Sequence, residues 1–222
     1  MRLILNIGGI SNVSVLRGNK LLAGFDTGPG NGLLDAWIKA RKGHSYDEDG
    51  NYAKSGECDQ RLLEAMLSDP YFAASPPKST GKEHFNLGWL QQRLEGLAFI
   101  KAEDVQCTLA HLTALSVAKA VEAFIADSND PRVFVCGGGA HNGFLMGLLD
   151  HSLNSGSNGR NENGEAKVKV TTTEELGVSV DDVEAMAFAW LAFAFLEDAA
   201  GNLPQVTGGE REAILGGLYK AK

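Results

Sequence analysis

Cysteine is scarce in this sequence. Three residues in 222, Cys58, Cys107 and Cys136, are odd in number, far apart and outside any C-x-x-C spacing. That pattern excludes a disulfide framework and a thiolate zinc site. Basic residues are in deficit, 20 Lys and Arg against 28 Asp and Glu, for a formal net charge of −8. A nucleic-acid footprint needs a basic face, so no nucleic-acid partner is expected. No run approaches 18 consecutive apolar residues, so no membrane span is expected either. The start, Met1-Arg2-Leu3-Ile4-Leu5, fails as a signal peptide because the apolar run stops at Asn6 and no small-residue cleavage site follows. Cytoplasmic is the default expectation.

Several catalytic signatures are missing as well. There is no GxSxG and no HExxH, and Ser79-Thr80-Gly81-Lys82 holds P-loop letters in the wrong order. Asp47-Glu48-Asp49-Gly50-Asn51 fails as a calcium loop, with glycine too early and Cys58 where the bidentate Glu belongs. The five histidines, His44, His84, His111, His141 and His151, show no ligand spacing, so no metal held by a cluster of side chains is expected.

What is present is ordinary globular composition, 44% apolar and 22% charged, in a length that allows one large domain or two small ones. The chain opens directly on a strand-like run with no lead-in, which suggests further chain before residue 1. Leu3 to Ile7, Ser11 to Leu16 and Lys20 to Phe25 predict three strands joined by tight turns. After Gly28-Pro29-Gly30, the spacing of Leu33, Leu34, Trp37 and Ile38 predicts a helix. Residues 43–103 read as a partly helical insertion, with a helix over Gln60 to Leu67. A long helix follows from about Asp104 to Ala126, then a buried strand from Arg132 to Cys136 and a helix from about Asn142 to Leu149. Asn154 to Glu165 reads as a solvated insertion, Val168 to Thr172 as a strand. Val183 to Phe195 is apolar nearly all round and predicts a buried helix. The order βββαβαβα implies an α/β fold with a mixed sheet.

Four features could carry chemistry. In Asn6-Ile7-Gly8-Gly9-Ile10-Ser11-Asn12, glycine amides could approach an anion, or the glycines could serve a hairpin needing positive φ. In Gly24-Phe25-Asp26-Thr27-Gly28-Pro29-Gly30-Asn31, Asp26 is a strand-end carboxylate, fit for a general base, before a helix N-terminus that could hold an anion. Alternatively, Asp26 or Asn31 merely caps that helix. Cys136-Gly137-Gly138-Gly139-Ala140-His141-Asn142 is neither a dinucleotide fingerprint nor a P-loop, yet three glycines after a buried strand offer a flat surface for a planar ring. Glu184 sits in the first turn of the apolar helix. There it is either paired, ligand-bound or neutral, or simply favoured by the helix dipole.

Together these segments resemble the anhydro-N-acetylmuramic acid kinase family of the actin-like sugar-kinase superfamily. The resemblance runs through Leu5 to Asn12, Phe25-Asp26-Thr27-Gly28-Pro29-Gly30-Asn31, Pro70-Tyr71-Phe72, and Pro76-Pro77-Lys78-Ser79-Thr80-Gly81-Lys82-Glu83. It continues through Val135 to Ala140 with Asn142, Thr173 to Gly177, Glu184-Ala185 to Ala192, and Asn202 to Gly208. It implies a ribonuclease-H-like, actin-like ATPase lobe with helices on both faces of the sheet. It also implies an ATP-dependent kinase that opens the anhydro bridge of 1,6-anhydro-N-acetylmuramic acid and phosphorylates its 6-oxygen, in cell-wall (peptidoglycan) sugar recycling. Asp26 would be the base that activates water. Gly8 and Gly9 would form a phosphate loop, and Gly137, Gly138, Gly139 and Asn142 the adenosine side. Glu184 and Asn31 are substrate candidates, Mg2+ would accompany the nucleotide, and a homodimer is implied. No role falls to Pro76–Glu83. Family members carry a further N-terminal lobe for the nucleotide phosphates, so residues 1–222 would be the C-terminal lobe alone, with weak or no activity. The rival expectation is a non-catalytic nucleotide-binding or dimerisation module. A kinase for another sugar is disfavoured by the FDTGPGN and PPKSTG stretches.

Overall fold

In the computed structural model, described over residues 1–155 and 167–219, the chain opens as a three-stranded meander. Strand β1 (Arg2–Ile7) alternates strictly, burying Leu3, Leu5 and Ile7, and β2 (Ile10–Arg17) buries Ser11, Val13 and Val15 on the same side. Strand β3 (Lys20–Pro29) is longer than the sequence suggested, running through Asp26 and into the Gly28-Pro29-Gly30 punctuation. Helix α1 (Asn31–Lys42) follows, ending at a left-handed Gly43 with Lys39, Arg41 and Lys42 in its last turn, where the dipole favours cations.

The insertion holds four short helices: α2 (Asn51–Lys54), α3 (Gln60–Leu67), α4 (Pro70–Ala73) and α5 (Leu87–Leu94). Each of the last three has a side-chain cap, from Asp59, Asp69 and Asn86 respectively. The long helix α6 (Ala102–Ala126) then crosses the molecule. Strand β4 (Arg132–Cys136), helix α7 (Gly143–Asn154), strand β5 (Lys169–Thr172), helix α8 (Val183–Leu196) and a short α9 (Pro204–Thr207) complete the order.

The sheet order is β3-β2-β1-β4-β5, with β1, β2 and β3 antiparallel and β4 and β5 parallel to β1. This is the expected mixed ribonuclease-H-like sheet. Val117, Val121 and Ile125 of α6 and Leu145 and Leu149 of α7 pack on Leu3, Leu5, Val133 and Val135. On the opposite face Val206 of α9 lies against Gly24. A second core forms where Leu62, Leu63 and Met66 of α3 and Trp89 and Leu90 of α5 meet α1 and α6. Helix α6 serves both cores, which is why it is apolar along 25 residues and long enough to span a bilayer by composition alone.

Two expectations change. Helix α8 exists but is not buried: only Ala194 is, while Met186, Phe188, Trp190, Phe193 and Leu196 are exposed. An all-round apolar helix signals that some surface covers it, but none among the described residues does. The presumed insertion from Asn154 also starts later. Asn154 still belongs to α7 and is buried, its amide and carbonyl bonded to Val168 on either side of the connection. Residues 156–165 lie outside the described residues.

Candidate active site

Asp26 sits in β3 opposite Asn12 of β2, and a strap from the insertion closes over it. Three of its polar atoms are bound by that strap. The Asp26 amide donates to the Lys78 carbonyl at 3.1 Å, and the Tyr71 hydroxyl donates to the Asp26 carbonyl at 2.7 Å. The Thr80 amide donates to Asp26 Oδ2 at 2.9 Å. One carboxylate oxygen is thereby oriented, and Oδ1 has no protein hydrogen bond among the described residues. Burial raises the Asp26 pKa above the ordinary aspartate value, and the Thr80 N–H only partly opposes this. The result is a carboxylate more basic than usual, as a general base requires.

The strap is itself anchored. Lys78 Nζ donates to the Tyr71 carbonyl at 3.1 Å and stands 4.6 Å from the centre of its ring. Burial lowers the Lys78 pKa, and it raises that of Tyr71, with the Asp26 charge adding to the effect. Beneath them Asp69, only 5% exposed, accepts from the Tyr71 amide (3.0 Å), Trp89 Nε1 (2.8 Å), Arg93 Nη2 (2.9 Å) and His84 Nε2 (3.2 Å). Burial alone would raise its pKa, but these donors overcome burial and hold it at about 2. Beside Asp26 opens a cavity of about 420 Å³ bordered by Asn12, Ser14, Lys78, Ser79 and Thr207.

The glycine features gather at the same end of the sheet. Gly8 and Gly9 form the hairpin turn between β1 and β2, but neither takes a left-handed φ, so positive φ is not what calls for glycine there. Their carbonyls accept the amides of Asn31 (2.7 Å), Gly30 and Gly32 (both 3.1 Å). The turn thus satisfies the first amides of α1, and the expected anion site at that helix N-terminus is already filled. Gly30 has to be glycine, since a Cβ there would stand 2.3 Å from the Gly8 carbonyl oxygen. Neither Asp26 nor Asn31 caps α1: the cap is Gly30, with no side-chain hydrogen bond.

The second glycine run divides by role. Gly137 adopts φ 78° and backs onto Asn6, and a Cβ on Gly139 would strike Ile7 at 2.3 Å, so both are needed for packing β4 onto β1. Gly138 is exposed instead, and a Cβ there would meet only Asn31 Nδ2, at 3.4 Å. It borders a cavity of about 410 Å³ with Asn31, Asp35, Asp49, His141 and Asn142. Asn142 also caps α7 through the Leu145 amide at 2.9 Å. Glu184 is a correction. It is exposed on α8, and among the described residues no hydrogen bond ties it to the Asp26 centre, so the argument from a buried charge no longer applies. Among the described residues no three His, Cys, Asp or Glu side chains converge as a metal site.

Sequence reasoning missed Tyr71, Lys78, Thr80 and Asp69. They lie 43 to 54 positions from Asp26 in the sequence, beyond the reach of any local periodicity. The one available signal was the family-like run Pro70–Phe72 and Pro76–Glu83, which had been given no role.

A mixed sheet of this order, carrying a strapped strand carboxylate and two glycine turns at one end, has the actin-like ATPase fold class. The chain belongs to the anhydro-N-acetylmuramic acid kinase family, which it matches over residues 1–221. A curated relative, the anhydro-N-acetylmuramic acid kinase of Pseudomonas fluorescens (strain Pf0-1), is 48% identical over 218 residues. That alignment takes in 98% of this chain but 56% of the relative, so the chain spans little more than half the relative's length. A solved structure of the activator of the 2-hydroxyisocaproyl-CoA dehydratase from Clostridium difficile with bound ADPNP covers 77% of this chain and 53% of its own. Its identity is 16% and its TM-score 0.40.

Proposed function

We propose that this chain is the C-terminal lobe of a two-lobed kinase. The complete kinase would hydrolyse the anhydro bridge of 1,6-anhydro-N-acetylmuramic acid and transfer the ATP γ-phosphoryl group to the freed 6-oxygen. The product would be N-acetylmuramic acid 6-phosphate, an intermediate of cell-wall sugar recycling in the cytoplasm. The observation that carries this reading is the Asp26 carboxylate, held through Oδ2 by the Thr80 amide and made more basic by burial.

Asp26 takes a proton from water as that water attacks the anomeric carbon; the bridge oxygen, released from that carbon, becomes the acceptor and attacks the γ-phosphorus as ADP leaves, and Asp26 later gives its proton to solvent. Gly8 and Gly9 form the phosphate turn. Gly138, with the neighbouring Gly137 and Gly139, presents backbone to the nucleotide base, and Asn31 and Asn142 border the same cavity. Magnesium bound with the nucleotide would neutralise phosphate charge, and Asp35, which borders the cavity beside Gly138, would be the carboxylate to hold it.

Two observations support the two-lobed part of the reading: the 56% coverage of the relative and the uncovered apolar helix α8. A homodimer would be a second way to cover that helix. To test the reading, Asp26→Asn is made in this chain joined to the preceding portion of the Pseudomonas relative. ATP-dependent turnover of the anhydro sugar should vanish while nucleotide affinity stays. Unchanged turnover removes Asp26 as the base.

A further inference from the structure

The strap that orients Asp26 does not end at Thr80. Two residues on, the Lys82 side chain reaches across to the Gly8–Gly9 turn. A Cβ placed on Gly9 would stand 2.6 Å from Lys82 Cε and 3.2 Å from Nζ, so the ammonium lies directly over this glycine. The position is fixed by a turn at Gly81, whose carbonyl accepts the His84 and Phe85 amides, both at 3.1 Å. Lys82 is exposed, and among the described residues it makes no ion pair within 4.0 Å. Its field reaches Asp35 on α1, whose carboxyl is raised by burial and lowered by Lys82.

Other cations near the strap are already occupied. Lys78 is folded onto Tyr71, and Arg93 is bound to Asp69. Phosphoryl transfer concentrates negative charge on the transferring group, and a positioned cation is the usual means of stabilising it. A glycine turn without a nearby cation would supply dipoles only.

We propose that Lys82 is the phosphate-binding cation of this site: with a nucleoside triphosphate bound, its ammonium contacts the terminal phosphate oxygens over the Gly8–Gly9 turn. Thr80 and Lys82 then give one strap two tasks, orienting the base and neutralising the phosphates. A shift of the strap would disturb both together. This inference rests on the kinase reading of the site.

The test is calorimetric titration of the 222-residue chain, unaltered and as Lys82→Ala and Lys82→Arg. The probes are magnesium with a non-hydrolysable ATP analogue, inorganic tripolyphosphate, and adenosine. Loss of one charge-assisted contact should weaken the analogue and tripolyphosphate roughly tenfold in Lys82→Ala, with adenosine unchanged. Lys82→Arg should restore most of the difference, and thermal midpoints should match, since the side chain is exposed. Equal weakening of adenosine and analogue, or no weakening of either, overturns the proposal while leaving the kinase reading in place. If the chain binds neither analogue nor adenosine, alone or joined to the portion of the Pseudomonas relative that it does not cover, the kinase reading of this lobe fails, and the role of Lys82 fails with it.

Discussion

Helices α6 and α8 are both built of apolar residues, yet one is the axis of the protein and the other stands in solvent. In α6 the buried hydroxyls are bonded: Thr108 Oγ1 donates to the Asp104 carbonyl at 2.6 Å, and Ser116 Oγ to the Thr113 carbonyl at 3.0 Å. Its apolar residues divide between the sheet core and the helical core. In α8 Phe188 is 65% exposed and Phe193 61%. The difference teaches that the same composition records two kinds of neighbour. One is supplied by this chain; under the two-lobed proposal the other lies on a surface outside the described residues.

The sharpest way to break the comparison is to cut into both helices. Leu112→Ala in α6 removes a side chain with no exposed surface and should cost about 2–5 kcal/mol by urea unfolding. A loss under about 1 kcal/mol would mean that α6 is not the axis described.

Asp69→Asn tests the anchor on the same packed side. Losing the charge that binds Arg93 and His84 should cost about 1–3 kcal/mol and loosen the strap over Asp26. Acid probes that carboxylate without mutation. Its folded pKa, about 2, lies below the ordinary 3.8, so its stabilising effect is complete above about pH 4. It is lost as pH falls toward 2, a contribution of roughly 2 kcal/mol. Asp69→Asn should flatten that part of the stability–pH curve, and an unchanged slope would assign it to other groups.

The smallest effect belongs to α8. Phe188→Ser should change the stability of the 222-residue chain by less than about 0.5 kcal/mol, because the ring is already in water. A cost approaching that of Leu112→Ala would show that α8 is packed in solution.

Much of the fold was legible before the structure. The β-rich run Leu3 to Ile7, closed by two glycines, marked β1, and the spacing of Leu33, Leu34, Trp37 and Ile38 marked the buried face of α1. Arg132 to Cys136 read as a doubly buried strand because it is one. The burial of α8 was misread because periodicity reports what a helix needs covered, not which chain covers it. Of the site, Asp26 and the glycine turns stood out through local spacing. The strap did not, since hydrogen bonds from Tyr71 and Thr80 to Asp26 join positions far apart in sequence and leave no periodic trace. Glu184 illustrates the converse: a charge on an apolar helix drew notice, and the exposure of that helix removes the reason.

The central proposal is that residues 1–222 supply the base and a phosphate turn to a two-lobed kinase. Its most direct test is a single-turnover assay of ATP-dependent phosphorylation of 1,6-anhydro-N-acetylmuramic acid. The chain is assayed alone and joined to the portion of the Pseudomonas relative that it does not cover. The account predicts product from the joined protein and little or none from the chain alone. Phosphorylation by the 222-residue chain at a rate comparable to the joined protein would contradict it.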